Sequence, residues 1–329
     1  MEQVSRRAFA RILGTVAIGA PCCATAQAPK FIRRIGWLDV GTPDSPEDLL
    51  KKTEPLRALG WIEGQNLHVE RRYDNGRPEA LPSLAEELVR AQVELLVTFS
   101  SPATLAAKRA TTTIPIIFGS AADPVGLGLV ASLSQPGGNV TGFSLIASEL
   151  TAKRLSILKE LLPDLRRVAF LWERDNPIFR FSREQVERAS RSVGIEAIFA
   201  DYGRPGDIDG AVERAARERA QALVVSNDRF SGDHALDIFR AATRLGLPTM
   251  ATDARFGDTG SLLSYSFDRT EQLKVIAEYI DRILRGAKPA DLPVRQPTRF
   301  ELVINLRAAR ALRLAVSRQL LVQATKVIE

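Results

Sequence analysis

The side chains with the most scope for chemistry fall in a few short clusters. Ser100-Ser101-Pro102-Ala103 reads as a strand-to-helix turn, with Thr104 one turn of helix further on. Hydroxyls beside the free N–H groups of a helix start make a site for a carboxylate or phosphate. The same residues equally make a plain N-cap with proline in the first turn. Asp123-Pro124 offers either a carboxylate for a ligand ammonium or a cap for a helix starting near Val125. Glu173 to Asn176, Asn227-Asp228-Arg229-Phe230 and Tyr265 supply further charges, amides and a phenol. Trp37 and Trp172 stand at equivalent places near the ends of two apolar runs, where core packing is favoured over a wall for ligand.

Catalytic machinery is thin. The only cysteines are the adjacent Cys22 and Cys23, which cannot staple distant loops, and the only histidines are His68 and His234. A zinc site of four nitrogen and sulfur ligands is therefore not expected, nor any other metal or cofactor. His68 reads as a surface residue on a strand. There is no G-x-S-x-G elbow, no Walker A and no G-x-G-x-x-G. Gly126-Leu127-Gly128 lacks the third glycine and is read as leading into an ordinary amphipathic helix, while Pro136-Gly137-Gly138-Asn139 reads as a turn. An enzyme using Asp123, Asp228 or Glu173 as acid or base is the weakest of the functional readings.

The elements that position these clusters alternate regularly. Apolar runs at 35–38, 93–99 and 114–118, with another strand at 67–73, are separated by helical patterns over 47–59, 79–91 and 102–110. A helix over 148–162 leads onward, and the alternation restarts. Strands are read at 168–172, 195–199, 222–225 and 248–251, with helices at 178–193, 207–219 and 233–245 between them. Continuous apolar strands between helices predict parallel sheets covered on both faces, so the fold class is α/β with two doubly wound lobes. A helix over 269–285 stops at Gly286 with Pro289 beyond it, the expected helix end. A strand at 300–304 and a helix at 308–314 close the chain. Residues 31–147 with about 270–329 are expected to form lobe 1, residues 148–269 lobe 2, with a multi-strand hinge between them. In open α/β sheets ligands sit beyond the C-terminal ends of strands, so the loop of Val40 to Asp44, with Thr42 at its centre, joins the candidate list.

The chain has 329 residues, of which 45% are hydrophobic and 26% charged, the profile of a globular protein long enough for two domains. Its first 26 residues read as an address. Arg6-Arg7 precede a short apolar stretch and then Ala24-Thr25-Ala26, a signal-peptidase pattern resembling a twin-arginine export signal. That apolar stretch is far below the ~20 residues that cross a bilayer. Cleavage near Ala26 removes both cysteines, three arginines and Glu2, lowering the net charge from +6 to +4 and placing the product in the periplasm. The remaining positive charge is spread along helix faces such as 180–191 and 307–318, interleaved with acids or alanines, and gives no reason to expect nucleic acid.

An ordered set of motifs then carries a family resemblance. It runs through Gly60-Trp61-Ile62-Glu63-Gly64-Gln65-Asn66, Asp123-Pro124-Val125-Gly126-Leu127-Gly128, Pro136-Gly137-Gly138-Asn139-Val140-Thr141-Gly142, Lys153-Arg154-Leu155, Gly286-Ala287-Lys288-Pro289 and Thr298-Arg299-Phe300-Glu301-Leu302. In these the chain resembles the substrate-binding proteins of ABC transporters, in the group of tryptophan and tyrosine binders. The resemblance implies a type I periplasmic-binding-protein fold. It also implies a small amino-acid-like ligand in the cleft. With the export signal, the duplicated halves and the thin catalytic machinery, the leading reading is a non-catalytic, monomeric receptor that closes on this ligand and docks on a membrane permease with its ATPase. By position the family's hydroxyl turn falls on Ser100-Ser101, its Asp-Pro on Asp123-Pro124, its second-lobe Asp on Asp228 and its Ser-Tyr on Ser264-Tyr265. With the strand-end candidates Thr42, Thr104, Glu173, Asn176 and Asn227, and with Gly142, these make the expected ligand-binding set. Two departures from the family pattern, Glu173-Arg174-Asp175 and Arg229, put extra charge on the cleft rim. A periplasmic sensor for a signalling partner is the alternative use of the same lobes.

Overall fold

The computed structural model describes residues 32–174, 178–203, 205–226, 231–232 and 234–329. The expected export signal, Asn176, Asn227 and Asp228 lie outside the described residues, as does the side chain of Glu173. The first sheet is built from β1 (Arg33–Asp39), β2 (Leu67–Tyr73), β3 (Leu95–Thr98), β4 (Ile116–Ala121) and β5 (Val140–Ser144), in the spatial order β2-β1-β3-β4-β5. All its pairings are parallel, with Ile35 opposite Leu95 and Leu96 opposite Ile116. Successive side chains of a strand point to opposite faces. Ile35, Trp37, Leu95 and Val97 accordingly enter one apolar cluster, while Leu38, Leu96 and Phe118 enter another on the other face. A sheet covered on both faces needs this continuous hydrophobicity.

The second sheet repeats the plan with β6 (Arg167–Glu173), β7 (Glu196–Tyr202), β8 (Ala222–Val225), β9 (Thr249–Ala251), β10 (Leu263–Phe267), β11 (Phe300–Asn305) and β12 (Lys326–Ile328), ordered β12-β11-β10-β9-β8-β6-β7. Ala169 and Leu171 face one cluster, Val168 and Phe170 the other. Pairing is parallel except between β10 and β11.

The chain passes between the lobes three times. It leaves β5 for the helix Ala147–Leu161, which packs in the second lobe's core. It returns after β10 through the helix Arg269–Leu284, capped by Asp268, whose Val275, Ile276 and Ile280 fill the first lobe's core. Residues 294–295 then pair beside β5, and the chain crosses again to β11. The expectation that residues 270–329 belong to the first lobe therefore divides. The helix does return there, but β11, the helices Leu306–Ala311 and Arg318–Gln323, and β12 build on the second lobe. β10 presents an open edge to which the apolar face of Leu302 and Ile304 pairs antiparallel, a choice no local pattern encodes.

Residues 124–139 form turns and irregular backbone instead of the expected helix near Val125. Gly128 and Gly137 have positive φ, and Pro136 and Gly138 add further breaks, so helix propagation fails. The turns deliver β5, whose Val140-Thr141-Gly142-Phe143-Ser144 is too interrupted to read as a strand. Gly142 is required there by contact: a Cβ would lie 2.0 Å from the Phe118 carbonyl oxygen.

Candidate functional site

The C-terminal ends of both sheets border one cavity of about 1660 Å³, lined by residues of both lobes. On the first lobe, β1 ends in Asp39, only 8% exposed. The helix Pro46–Ala58 follows, started by Ser45, whose hydroxyl accepts from Asp48 N at 3.1 Å. One turn and a half along it, Lys52 is carried back over the strand end. Its Nζ donates to Asp39 Oδ2 at 3.1 Å and to both Asp44 oxygens at 2.8 and 2.9 Å. It also lies 4.8 Å from the Phe99 ring centroid and 5.6 Å from that of Trp37, which stack on each other at 4.9 Å. This adds cation–π attraction to the ion pairs. Burial pushes the Asp39 carboxyl up, despite Lys52. Burial and the Asp44 charge push the Tyr73 hydroxyl, which donates to Asp44 at 3.0 Å, up to about 12.

Beside this cluster β3 runs into the serine turn. Ser100 has extended φ and ψ and its Oγ accepts from Ala103 N at 3.2 Å, a standard N-cap for the helix Ser101–Ala110. Ser101 Oγ accepts from Ala122 N at 3.3 Å. Both hydroxyls line the cavity.

The second lobe contributes Arg154, Asp253, Arg255 and the strand ends Phe170 to Trp172. Trp172 stacks on Phe199 at 4.8 Å. Asp253, following β9, accepts from Arg255 Nε and Nη2 at 3.0 Å each and lies 3.4 Å from Arg269 Nη1. Burial pushes its carboxyl up, but the bonds and charge of Arg255, with Arg269, outweigh this and hold it below the usual carboxylate range. Arg154, on the helix Ala147–Leu161, is 8% exposed and donates Nε to the Tyr265 carbonyl at 2.8 Å. Burial pulls its guanidinium down to about 10.

The sequence-derived candidates separate on this geometry. Ser100 and Ser101 stand on the cavity wall. Thr104 is fully buried behind them, bonded to Thr98 at 2.7 Å and to the Ser100 carbonyl at 2.7 Å, so it serves the turn. Asp123 caps the turn after Pro124, accepting from Gly126 N at 2.9 Å, and neither residue lines the cavity. Gly142 answers to Phe118, as above. Thr42 is exposed beside the cavity, whereas its neighbours Gly41 and Asp44 line it. Tyr265 stacks on Phe300 at 5.9 Å and offers its carbonyl to Arg154, with its ring away from the cavity lining. Glu173 pairs through its backbone with Tyr202 at the end of β6. His68 is an exposed neighbour of Glu70 at 3.0 Å.

Sequence reasoning passed over Asp39, Lys52, Arg154 and Asp253. Asp39 and Asp253 each follow a buried strand, and a strand-end acid was a readable signal. Lys52 and Arg154 sit inside helices, where a basic residue reads as solvated until the packing is known. Among the described residues no cluster of three His, Cys, Asp or Glu side chains is placed to hold a metal ion, and no helix is long and apolar enough to cross a membrane.

Comparison with known proteins matches residues 52–328 to the family described as ABC transporter substrate binding protein. A tyrosine-binding protein of Clostridioides difficile strain R20291 is 24% identical over 257 residues, covering 78% of this chain and 74% of that protein. Among solved structures, a conserved domain protein of Vibrio cholerae O1 biovar eltor superposes with a TM-score of 0.79 at 25% identity, over 90% of this chain and 99% of that one. An ABC domain from Streptococcus pneumoniae in complex with L-Trp gives a TM-score of 0.77 at 23% identity, over 90% and 100% of the two chains.

Proposed function

The chain belongs to the ABC transporter substrate-binding protein family, and from that premise we propose that it is the exported solute receptor of an ABC importer. The single observation that carries this reading is the cavity itself, walled by the strand-end loops of two sheets that three chain crossings connect. A solute touching both walls makes its full set of contacts only when the lobes are together, so it shifts the population toward the closed form. The closed form then docks on the membrane permease with its ATPase. The solute is small and amino-acid-like, in keeping with the tyrosine and L-Trp named for the relatives. The serine turn receives part of it, and the charged cluster around Lys52 sets the polarity of the first wall. Residues 1–26 direct export, and the receptor acts in the periplasm without turning its ligand over.

Native mass spectrometry of the purified chain tests this reading. The expected result is a mass increment of one small organic molecule per chain, lost on denaturation and recovered unchanged. A released molecule chemically altered by incubation with fresh protein would instead indicate an enzyme.

A further inference from the structure

Arg154 presents an unbalanced feature in the cavity wall. A desolvated guanidinium is costly unless an anion and hydrogen bonds compensate it. Among the described residues only Nε is engaged, on the Tyr265 carbonyl at 2.8 Å. Nη1 and Nη2 make no hydrogen bond or ion pair with any described residue. The nearby acid, Asp253, is engaged by Arg255 and Arg269. Arg154 is nevertheless 8% exposed and lines the cavity. A second buried polar group lines it as well. Gln185, 7% exposed on the helix Ile178–Ser192, which packs against the helix carrying Arg154, has an Oε1 with no donor among the described residues.

We propose that Arg154 is the anion receptor of the cleft, taking the carboxylate of the transported solute on its two Nη groups. The proposal rests on the solute-receptor reading and adds to it a residue and a ligand requirement. A planar guanidinium with both Nη groups available matches a carboxylate in bidentate geometry, and low dielectric strengthens the pair. Gln185 Oε1 adds a second requirement, an N–H or O–H donor on the same solute. The ligand class is thus a small amino or hydroxy carboxylate, and the second lobe reads its charge while the serine turn stands on the opposite wall.

The test uses the full chain, stripped of bound solute by denaturation and refolding, in calorimetric titrations. The probes are L-tyrosine, L-tryptophan and L-leucine, their decarboxylated partners tyramine, tryptamine and isoamylamine, and D-glucose. At least one acid is expected to bind about 100-fold more tightly than its amine. Arg154→Gln is expected to bring that acid down to the level of its amine and leave the amine's own affinity unchanged. Arg154→Lys, which keeps the charge, falls between. A thermal melt checks that each variant folds; if Arg154→Gln does not, Arg154→Lys and the wild-type ratio of acid to amine decide. Equal binding of acid and amine, or an Arg154→Gln variant that retains the acid, overturns the assignment. Binding of D-glucose or the amines alone also overturns it while leaving the receptor reading intact. Binding of none of the probes overturns both.

Discussion

Arg255 of the second lobe and Asp48 of the first stand 4.0 Å apart, Nη1 to Oδ1, across the cleft. Asp48 is held by Ser45, whose hydroxyl donates to Oδ2 at 2.8 Å, and Arg255 is held by Asp253. Each partner is thus oriented by a residue of its own lobe. The Ser45 bond, with the charges of Arg255 and Lys51, keeps the Asp48 carboxyl below the usual range, so the pair is charged at neutral pH.

Both members are half-exposed, so the pair contributes about 0.2–1 kcal/mol. Asp48→Asn should therefore weaken solute binding by roughly 1.5- to 5-fold, through the closed form only. Titration at low and high salt checks this. The wild type should lose the same increment in high salt, and the variant should respond to salt less than the wild type.

Lys52 is a buried cation serving two carboxylates, and it cannot be removed alone. Lys52→Met should cost about 3–5 kcal/mol, because Asp39 and Asp44 are left facing each other without their counter-ion. Adding Asp39→Asn should recover part of the loss, since burial already disfavours that carboxylate. Urea unfolding of the single and double variants measures both effects.

Gly142 should tolerate no side chain. Gly142→Ala places Cβ against the Phe118 carbonyl and forces β4 and β5 apart, at a cost of roughly 1–3 kcal/mol or more. A thermal melt should show a lowered midpoint, whereas Gly138→Ala, with nothing near its Cβ, should melt close to the wild type.

Asp253 links stability to pH. Its folded carboxyl is depressed below the unfolded value, so its stabilisation is complete above about pH 4 and is lost as pH falls through the folded value. Asp253→Asn should be less stable than the wild type at neutral pH, by about 1–3 kcal/mol. The two should converge in acid. Urea midpoints across the acid range measure the difference.

The fold was legible where one local pattern decides it. Continuous apolar runs such as Leu95–Thr98 and Ala222–Val225 announce covered parallel strands, and Asp268 and Gly286 mark the ends of one helix. β5 was not legible, because Gly142 and two hydroxyl residues dilute its pattern and its pairing to β4 is non-local. The turns after Pro124 were misread as a helix because apolar spacing there outweighed the glycines. The chain's last strands joined the second lobe because β10 offered an edge. For the site, Ser100 and Ser101 stood out as hydroxyls at a strand end. Arg154 appeared only as part of the Lys153-Arg154-Leu155 motif, since its burial is created by Tyr265 and the cleft wall rather than by its own helix.

The most direct measurement of the central claim is tryptophan fluorescence of the stripped full chain, titrated with amino acids and small hydroxy acids. Trp172 lines the cavity and stacks on Phe199 of the second lobe, so its emission reports on the cavity wall. The expected result is a saturable change for a narrow subset of these solutes, one per chain, with the solute recovered unaltered. A flat response across the whole set, or conversion of the solute, would contradict a receptor that closes on a small carboxylate.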